Sequence, residues 1–229
     1  MRAMRVRAGR CARRSAWRGF TLVELLVALA AMSLLALVSW RGLEAMATSQ
    51  ASHRTRDDAM LVLQTALSQW QADLDATSAF GNTPGLDWNG HTLRLTRRSA
   101  AGNGMPAVHV VAWAMHPGAD GPRWWRWQSP PVTTRGEWQQ AWSMAAAWAQ
   151  DGVGDLNAAA TPLLPLGSWT LVYFLDGAWG PAVAAQSLGL ERPVPDGLRL
   201  VLELPPGSGL SGVITRDWAR PTYAVARGG

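Results

Sequence analysis

The residue that most demands a chemical explanation is Glu24. It is the only charge in FTLVELLVALAAMSLLALVSW, the twenty-one residues from 20 to 40, with Arg18 before the run and Arg41 after it. An ionised group in hydrocarbon costs about 2.5 to 3.5 kcal/mol on insertion scales, so a carboxylate retained there needs a partner that offsets the cost. No basic residue inside the run can be that partner.

Other residues able to do chemistry are few. The chain has no lysine, which removes the phosphate-loop lysine, the Schiff base and the Ser-x-x-Lys acylase. Its one cysteine is Cys11, so residues 20 to 229 hold no thiol for catalysis, disulfides or thiolate zinc sites. The histidines His53, His91, His109 and His116 have no ligand spacing, and His53 with Asp57, one helical turn on, reads as a solvated pair. Asp73 and Asp75 stand at a helix end with no pocket evident, and no Ser/His/Asp set can be nominated. Gly207-Ser208-Gly209-Leu210-Ser211-Gly212 fits a dinucleotide fingerprint in form only. It follows two prolines, leaves no room for a helix before Pro221, and reads as a turn. Asp151 to Asn157 (DGVGDLN) resembles the start of a calcium loop but lacks the downstream bidentate glutamate. No cofactor or metal is expected.

The elements that must carry these residues begin with the 20 to 40 run, long enough to cross a bilayer as a helix, with Trp40 at the interface. A cleaved secretory signal ending at Ala28-Leu29-Ala30 is the competing reading, but Glu24 interrupts its core and the apolar run continues well past the triplet. A plain anchor leaves the carboxylate unexplained. The formal charge of +5 is unevenly placed, with seven arginines and no acid in the first nineteen residues and 14 arginines against 16 carboxylates, a net −2, thereafter. The basic start should stay cytoplasmic and the remainder lie outside, and an acidic remainder argues against nucleic acid as a partner. No proline precedes Pro84, and Gly42 is the only glycine between 20 and 80, so the helix continues to about 76, on the order of 85 Å at 1.5 Å per residue. Met60, Leu63, Leu67, Trp70 and Leu74 form its apolar stripe.

From Pro84 onward, short alternating runs punctuated by glycine and proline predict an antiparallel β domain. A hairpin over 86 to 96 is expected around a type I′ turn at Asn89-Gly90, with Trp88 opposite His91 and Leu86 opposite Leu93. Further strands are expected at 108–115, 123–128, 168–175 and 198–204, the last with Leu198, Leu200, Leu202 and Leu204 on one buried face. Residues 137 to 150 read as an amphipathic helix with Trp138, Trp142 and Ala145 on one side. In Arg123-Trp124-Trp125-Arg126-Trp127, alternation puts Trp125 and Trp127 on one face and Trp124 and Arg126 on the other. Sheet packing is the commoner use of such aromatics, a base- or sugar-stacking platform the alternative. The fold class is α+β, a long helix backed by antiparallel sheet. Its parts are 1–19 as a basic leader, 20–40 as the membrane half of the helix, 41–78 as its amphipathic half and 79–229 as the β-rich domain.

The stretch Arg18-Gly19-Phe20-Thr21-Leu22-Val23-Glu24, after a basic start and before an unbroken apolar run, resembles the class III leader of type IV prepilins and pseudopilins. The resemblance implies a pilin-like fold and cleavage after Gly19 by a prepilin peptidase, which then methylates the new amino terminus at Phe20. It also implies that Glu24 neutralises the free amine of a neighbouring subunit as filaments assemble. That role agrees with the cost argument, since two charges too costly alone in lipid become tolerable as a pair.

Later segments resemble the J-type minor pseudopilin of type II secretion systems (the general secretion pathway protein J family). They are Trp40-Arg41-Gly42-Leu43, Leu86-Asp87-Trp88 with Leu93-Arg94-Leu95, Trp169 to Tyr173 followed by Asp176-Gly177 and Trp179, and Pro195-Asp196-Gly197-Leu198-Arg199-Leu200. This resemblance implies H-, I- and K-type minor pseudopilins, the major pseudopilin and the inner-membrane assembly platform as partners. It implies a site at or near the pseudopilus tip, priming assembly for protein export, with a single pass of the bacterial inner membrane and a periplasmic carboxy-terminal domain. K-type subunits characteristically lack the helix glutamate, so Glu24 implies a place below the extreme tip. No catalysis is expected of the chain itself. The alternatives are a minor pilin that initiates type IV pili and a membrane-tethered periplasmic binding or hydrolytic domain.

Overall fold

The computed structural model describes residues 19–78, 83–100, 104, 106–151, 154–182, 194–207 and 209–221. Expectations placed on the leader at 1–18, Cys11 included, and on Gly152 and Val153 lie outside the described residues. The architecture is α+β, with one long apolar amino-terminal helix and a domain of antiparallel sheets, consistent with a pilin-like fold. The chain separates into two compact units, one up to Ala51 and one from Ser52.

Helix α1, Leu22–Asp75, has no proline and a single glycine, so nothing interrupts its 54 residues. In the first unit its apolar side chains face out on all sides, from Leu22 at 77% exposure to Trp40 at 71%. A helix hydrophobic all round must be covered by lipid or protein. In the second unit Leu63, Ala66, Trp70 and Leu74 are buried, Leu67 is half-buried and Met60 is exposed. The expected stripe therefore begins one turn later than Met60, because the sheets cover the helix only from Leu63 onward.

Five strands form the first sheet in the order β1 (Leu86–Trp88), β2 (Thr92–Ala100), β3 (Pro106–Gly118), β4 (Gly121–Gln128) and β5 (Ala160–Pro165). Helix α2 (Arg135–Asp151) and a 3₁₀ turn (Gly154–Ala159) connect β4 to β5. The second sheet has the order β7 (Ala178–Pro181), β6 (Ser168–Leu175), β8 (Gly197–Leu204) and β9 (Gly212–Ala219), antiparallel throughout. Alternation along the strands separates two cores. Leu93, Leu95, Val111, Trp113 and Trp124 of the first sheet pack with α1 and with Trp169, Leu198, Leu200 and Leu202 of the second. The opposite face, with Val110, Ala112, Ala114 and Trp127, packs on Trp138, Ala141, Ala145 and Trp148 of α2. Both faces of the first sheet are thus covered, with Trp124 and Trp127 in the core and Trp125 half-buried against the α2 side, so that 123–127 is not an open platform.

Among the described residues nine tryptophans are buried, namely Trp70, Trp88, Trp113, Trp124, Trp127, Trp138, Trp148, Trp169 and Trp218. Trp88, Trp169, Trp124 and Trp113 follow one another at centroid separations of 4.7, 5.7 and 4.4 Å, bridging the two sheets edge-on and tilted.

Two turns differ from their sequence reading. The 86 to 96 hairpin pairs Trp88 with Leu93 and Leu86 with Leu95, a longer loop than the expected two-residue turn. A type I′ turn needs both central residues left-handed, and Asn89 is not. Its carboxamide instead accepts the N–H groups of His91 at 3.0 Å and Thr92 at 2.7 Å, an Asx arrangement that widens the loop. Two-residue hairpins are found instead at Ala119-Asp120, where Gly118 pairs with Gly121, and at Asp176-Gly177, where φ is 51° and 81° and Leu175 pairs with Ala178. Of the 207–212 segment, Gly207 lies in a turn, Gly209 in a bend and Gly212 opens β9, while Ser208 lies outside the described residues.

Gly209, at φ +81°, lies so close to α1 that a Cβ there would stand 2.9 Å from the Thr55 carbonyl oxygen. Gly209→Ala adds both backbone strain and overlap with helix backbone that cannot move aside. We expect it to lower stability by about 1 to 3 kcal/mol in urea unfolding, and Gly207→Ala to cost less, since nothing lies within 4 Å of a Cβ at that position.

Candidate assembly site

Thr21-Leu22-Val23-Glu24 builds the start of α1. Thr21 takes the N-cap position, and its hydroxyl oxygen accepts the Glu24 N–H at 3.2 Å. The Glu24 carboxylate reaches back to accept the Thr21 N–H at 3.4 Å and hydroxyl at 3.3 Å. This reciprocal pair is a capping box, and it sets a negative charge at the positive end of the helix dipole. The same T-x-x-E device starts α2, where the Glu137 carboxylate accepts the N–H groups of Thr133 at 2.8 Å and Thr134 at 3.0 Å. Those backbone donors, Thr133 first, hold the Glu137 carboxyl below its ordinary range. Glu24 therefore has a local folding role that a reading through charge alone missed, although the T-x-x-E spacing announces it.

Gly19 and Phe20 precede the first helical turn on exposed, non-helical backbone. An exposed bond outside regular structure is what proteolysis requires. Scission between them would leave a free amine on Phe20, four residues ahead of Glu24. Within the described residues, then, Gly19, Phe20 and Glu24 lie close together in sequence and are exposed at one helix end. The helix they open is long and apolar enough to span a membrane and is unburied over its apolar stretch. These features fit a membrane-anchored protein.

The carboxylates that the sequence placed at a helix end without a pocket have a different setting. Asp73 is wholly buried. Its oxygens accept Arg126 Nε–H at 2.7 Å and Nη2–H at 2.9 Å, a two-point contact, together with Trp113 Nε1–H at 3.1 Å and Gln69 Nε2–H at 2.9 Å. Arg97 Nε adds a charge contact at 3.4 Å. Asp75 accepts Trp218 Nε1–H at 2.7 Å, and Gln71 accepts Arg216 Nη2–H at 2.9 Å. The last turns of α1 are thus tied to β2, β3 and β4 by Asp73 and to β9 by Asp75 and Gln71. A signal existed, because Asp73 lies three residues after Trp70 on the buried stripe while Arg126 shares a strand face with Trp124.

The remaining sequence candidates do not assemble into a site. His53 and Asp57 are both exposed on α1. Among the described residues no three His, Cys, Asp or Glu side chains converge as metal ligands, and Asn157 is engaged by Trp148 Nε1–H at 3.0 Å. His116 packs against the Trp148 ring at 4.7 Å, and burial lowers its pKa below the ordinary value of 6.5. A lowered folded-state pKa means that stability is full above the unfolded value and falls once acid protonates the unfolded chain. Denaturation midpoints should therefore decline from about pH 6.5 downward. His116→Leu should flatten that window, and an unchanged slope would assign it to other groups.

Residues 18–40 match the family model described as the prokaryotic N-terminal methylation motif. That motif implies a type IV pilin-like or pseudopilin protein, processed by a prepilin peptidase and assembled with other pilins into a pilus or pseudopilus. No curated protein sequence matches the chain.

Proposed function

We propose that this chain is a minor pseudopilin of the J type in a type II secretion system, seated at or near the pseudopilus tip. In this reading it primes assembly with H-, I- and K-type partners on the inner-membrane platform and has no catalysis of its own. The observation that carries the filament role is Glu24, a carboxylate kept in an all-apolar exposed helix directly after the Gly19–Phe20 bond. Prepilin peptidase cuts after Gly19 and methylates Phe20, and the new amine of a neighbour then pairs with Glu24. The basic leader remains cytoplasmic, and the sheets, which are joined to the helix end through Asp73, lie in the periplasm.

Placement among the minor subunits rests on the J-type resemblance of the segments around Trp88, Asp176 and Asp196. Deleting the gene in its host tests it. A J-type subunit predicts that exported proteins accumulate in the periplasm while surface pili persist. Loss of pili with normal export would make the chain a minor pilin, and loss of neither would leave a tethered periplasmic domain.

A further inference from the structure

Where the end of α1 meets β2 and β9, a cleft of about 260 Å³ opens between the helix terminus and the strands. Its frame is fixed by backbone hydrogen bonds from Arg98 N–H to Ala76 O at 2.9 Å, Ser78 N–H to Thr96 O at 2.9 Å and Arg220 N–H to Asp196 O at 2.8 Å. Two arginines line it, and both have donors unspent. The Arg98 side chain is exposed and makes no ion pair among the described residues. Arg220 meets Asp196 only across 3.8 Å, too far for a hydrogen bond, which leaves its terminal Nη–H groups to face the cleft. Asp75 is the one acid among the described lining residues, and one of its oxygens is already taken by the Trp218 indole.

We propose that this cleft binds an acidic side chain, aspartate or glutamate, presented by another polypeptide. Each guanidinium offers paired N–H donors spaced for a carboxylate. Leu74, Trp218 and Pro221 beside them give the methylene stem an apolar wall. Among the described lining residues Arg98 and Arg220 outnumber Asp75 by one charge, and Asp196 stands 3.8 Å from Arg220, a modest positive balance that suits a monoanion better than a phosphate dianion. Nothing in this assignment depends on filament formation, so it can fail while the pseudopilin reading stands, and the converse.

The test uses the full processed chain in detergent micelles, with indole ¹⁵N labels and the Trp218 resonance assigned through Trp218→Phe. The probe is an acetylated, amidated pentapeptide of alternating glycine and glutamate, and its glutamine counterpart is the control. The glutamate peptide should shift the Trp218 indole signal saturably and the glutamine peptide should not. Arg98→Gln and Arg220→Gln should each weaken binding roughly tenfold, with the other dispersed indole signals reporting an intact fold. If a glutamine variant loses that dispersion, Arg98→Lys and Arg220→Lys replace it, keeping charge without the fork, and should still bind several-fold more weakly than the parent. Equal response to both peptides, unchanged affinity in the variants, or no shift at about 10 mM peptide overturns the proposal. Free acetate binding as tightly as the peptide would make the cleft a small-anion site and overturn the polypeptide assignment.

Discussion

Replacing Asp73 with alanine lowers the stability of the domain by about 3 kcal/mol or more, a midpoint loss of roughly 6 to 12 °C for a domain of this size. The size of the effect follows from what the substitution leaves behind. Arg126 is mostly buried, with its side chain 14% exposed, and it would lose both hydrogen bonds to the carboxylate. Trp113 Nε1 would lose its acceptor inside the core. Asp73→Asn keeps the shape and one acceptor, and should fall between alanine and the parent. A double-mutant cycle with Arg126→Gln isolates the pair. Its coupling should greatly exceed that of Arg199 with Asp217, a contact equally short at 2.7 Å but open to solvent. If the two cycles give the same small coupling, Asp73 is merely tolerated in the core and the helix is held by apolar packing alone.

The second large effect is at Glu24, where two expected changes have opposite signs. Glu24→Ala should make membrane insertion of the helix more favourable, by about 2.5 to 3.5 kcal/mol on insertion scales. Incorporation into a filament should nevertheless be lost, because the neighbour's amine then has no partner in lipid. Cysteine crosslinking between subunits in native membranes separates the two. A protein fully membrane-bound yet uncrosslinked fits the pairing role. Normal crosslinking with Glu24→Ala would mean that the carboxylate serves only the capping box with Thr21. Glu24→Gln sharpens the distinction, since an amide can still accept the Thr21 N–H but cannot neutralise an amine.

How much of this was written in the sequence depends on how local the physics is. The punctuation-free run after Thr21 dictates α1, and the leucine alternation from 198 to 204 dictates β8, because each pattern is set by neighbours in the chain. Asp73 was illegible as a hub because its partners Trp113 and Arg126 lie 40 and 53 residues away, and only the folded sheet brings them together. The 86 to 96 register was misread because Asn89 can serve either a tight turn or an Asx loop, and its side-chain acceptor decided the matter. Three strands went unseen for separate reasons. β5 carries Pro162 and Pro165, which an edge strand tolerates and a central one does not. β7 has only four residues, and β9 places Arg216 and Asp217 on its two faces, which hides the alternation. The candidate site needs no long-range folding to be read from the sequence, because Gly19, Phe20 and Glu24 lie within six residues of one another.

The most direct measurement is the mass of the amino-terminal peptide of the protein purified from membranes of its native host. A peptide that begins at Phe20 and carries one additional methyl group is the expected result, and it would tie Gly19, Phe20 and the following helix to prepilin processing. Retention of Met1, or a terminus near Ala30, would contradict it, and the sheets would then belong to a tethered or secreted protein that builds no filament.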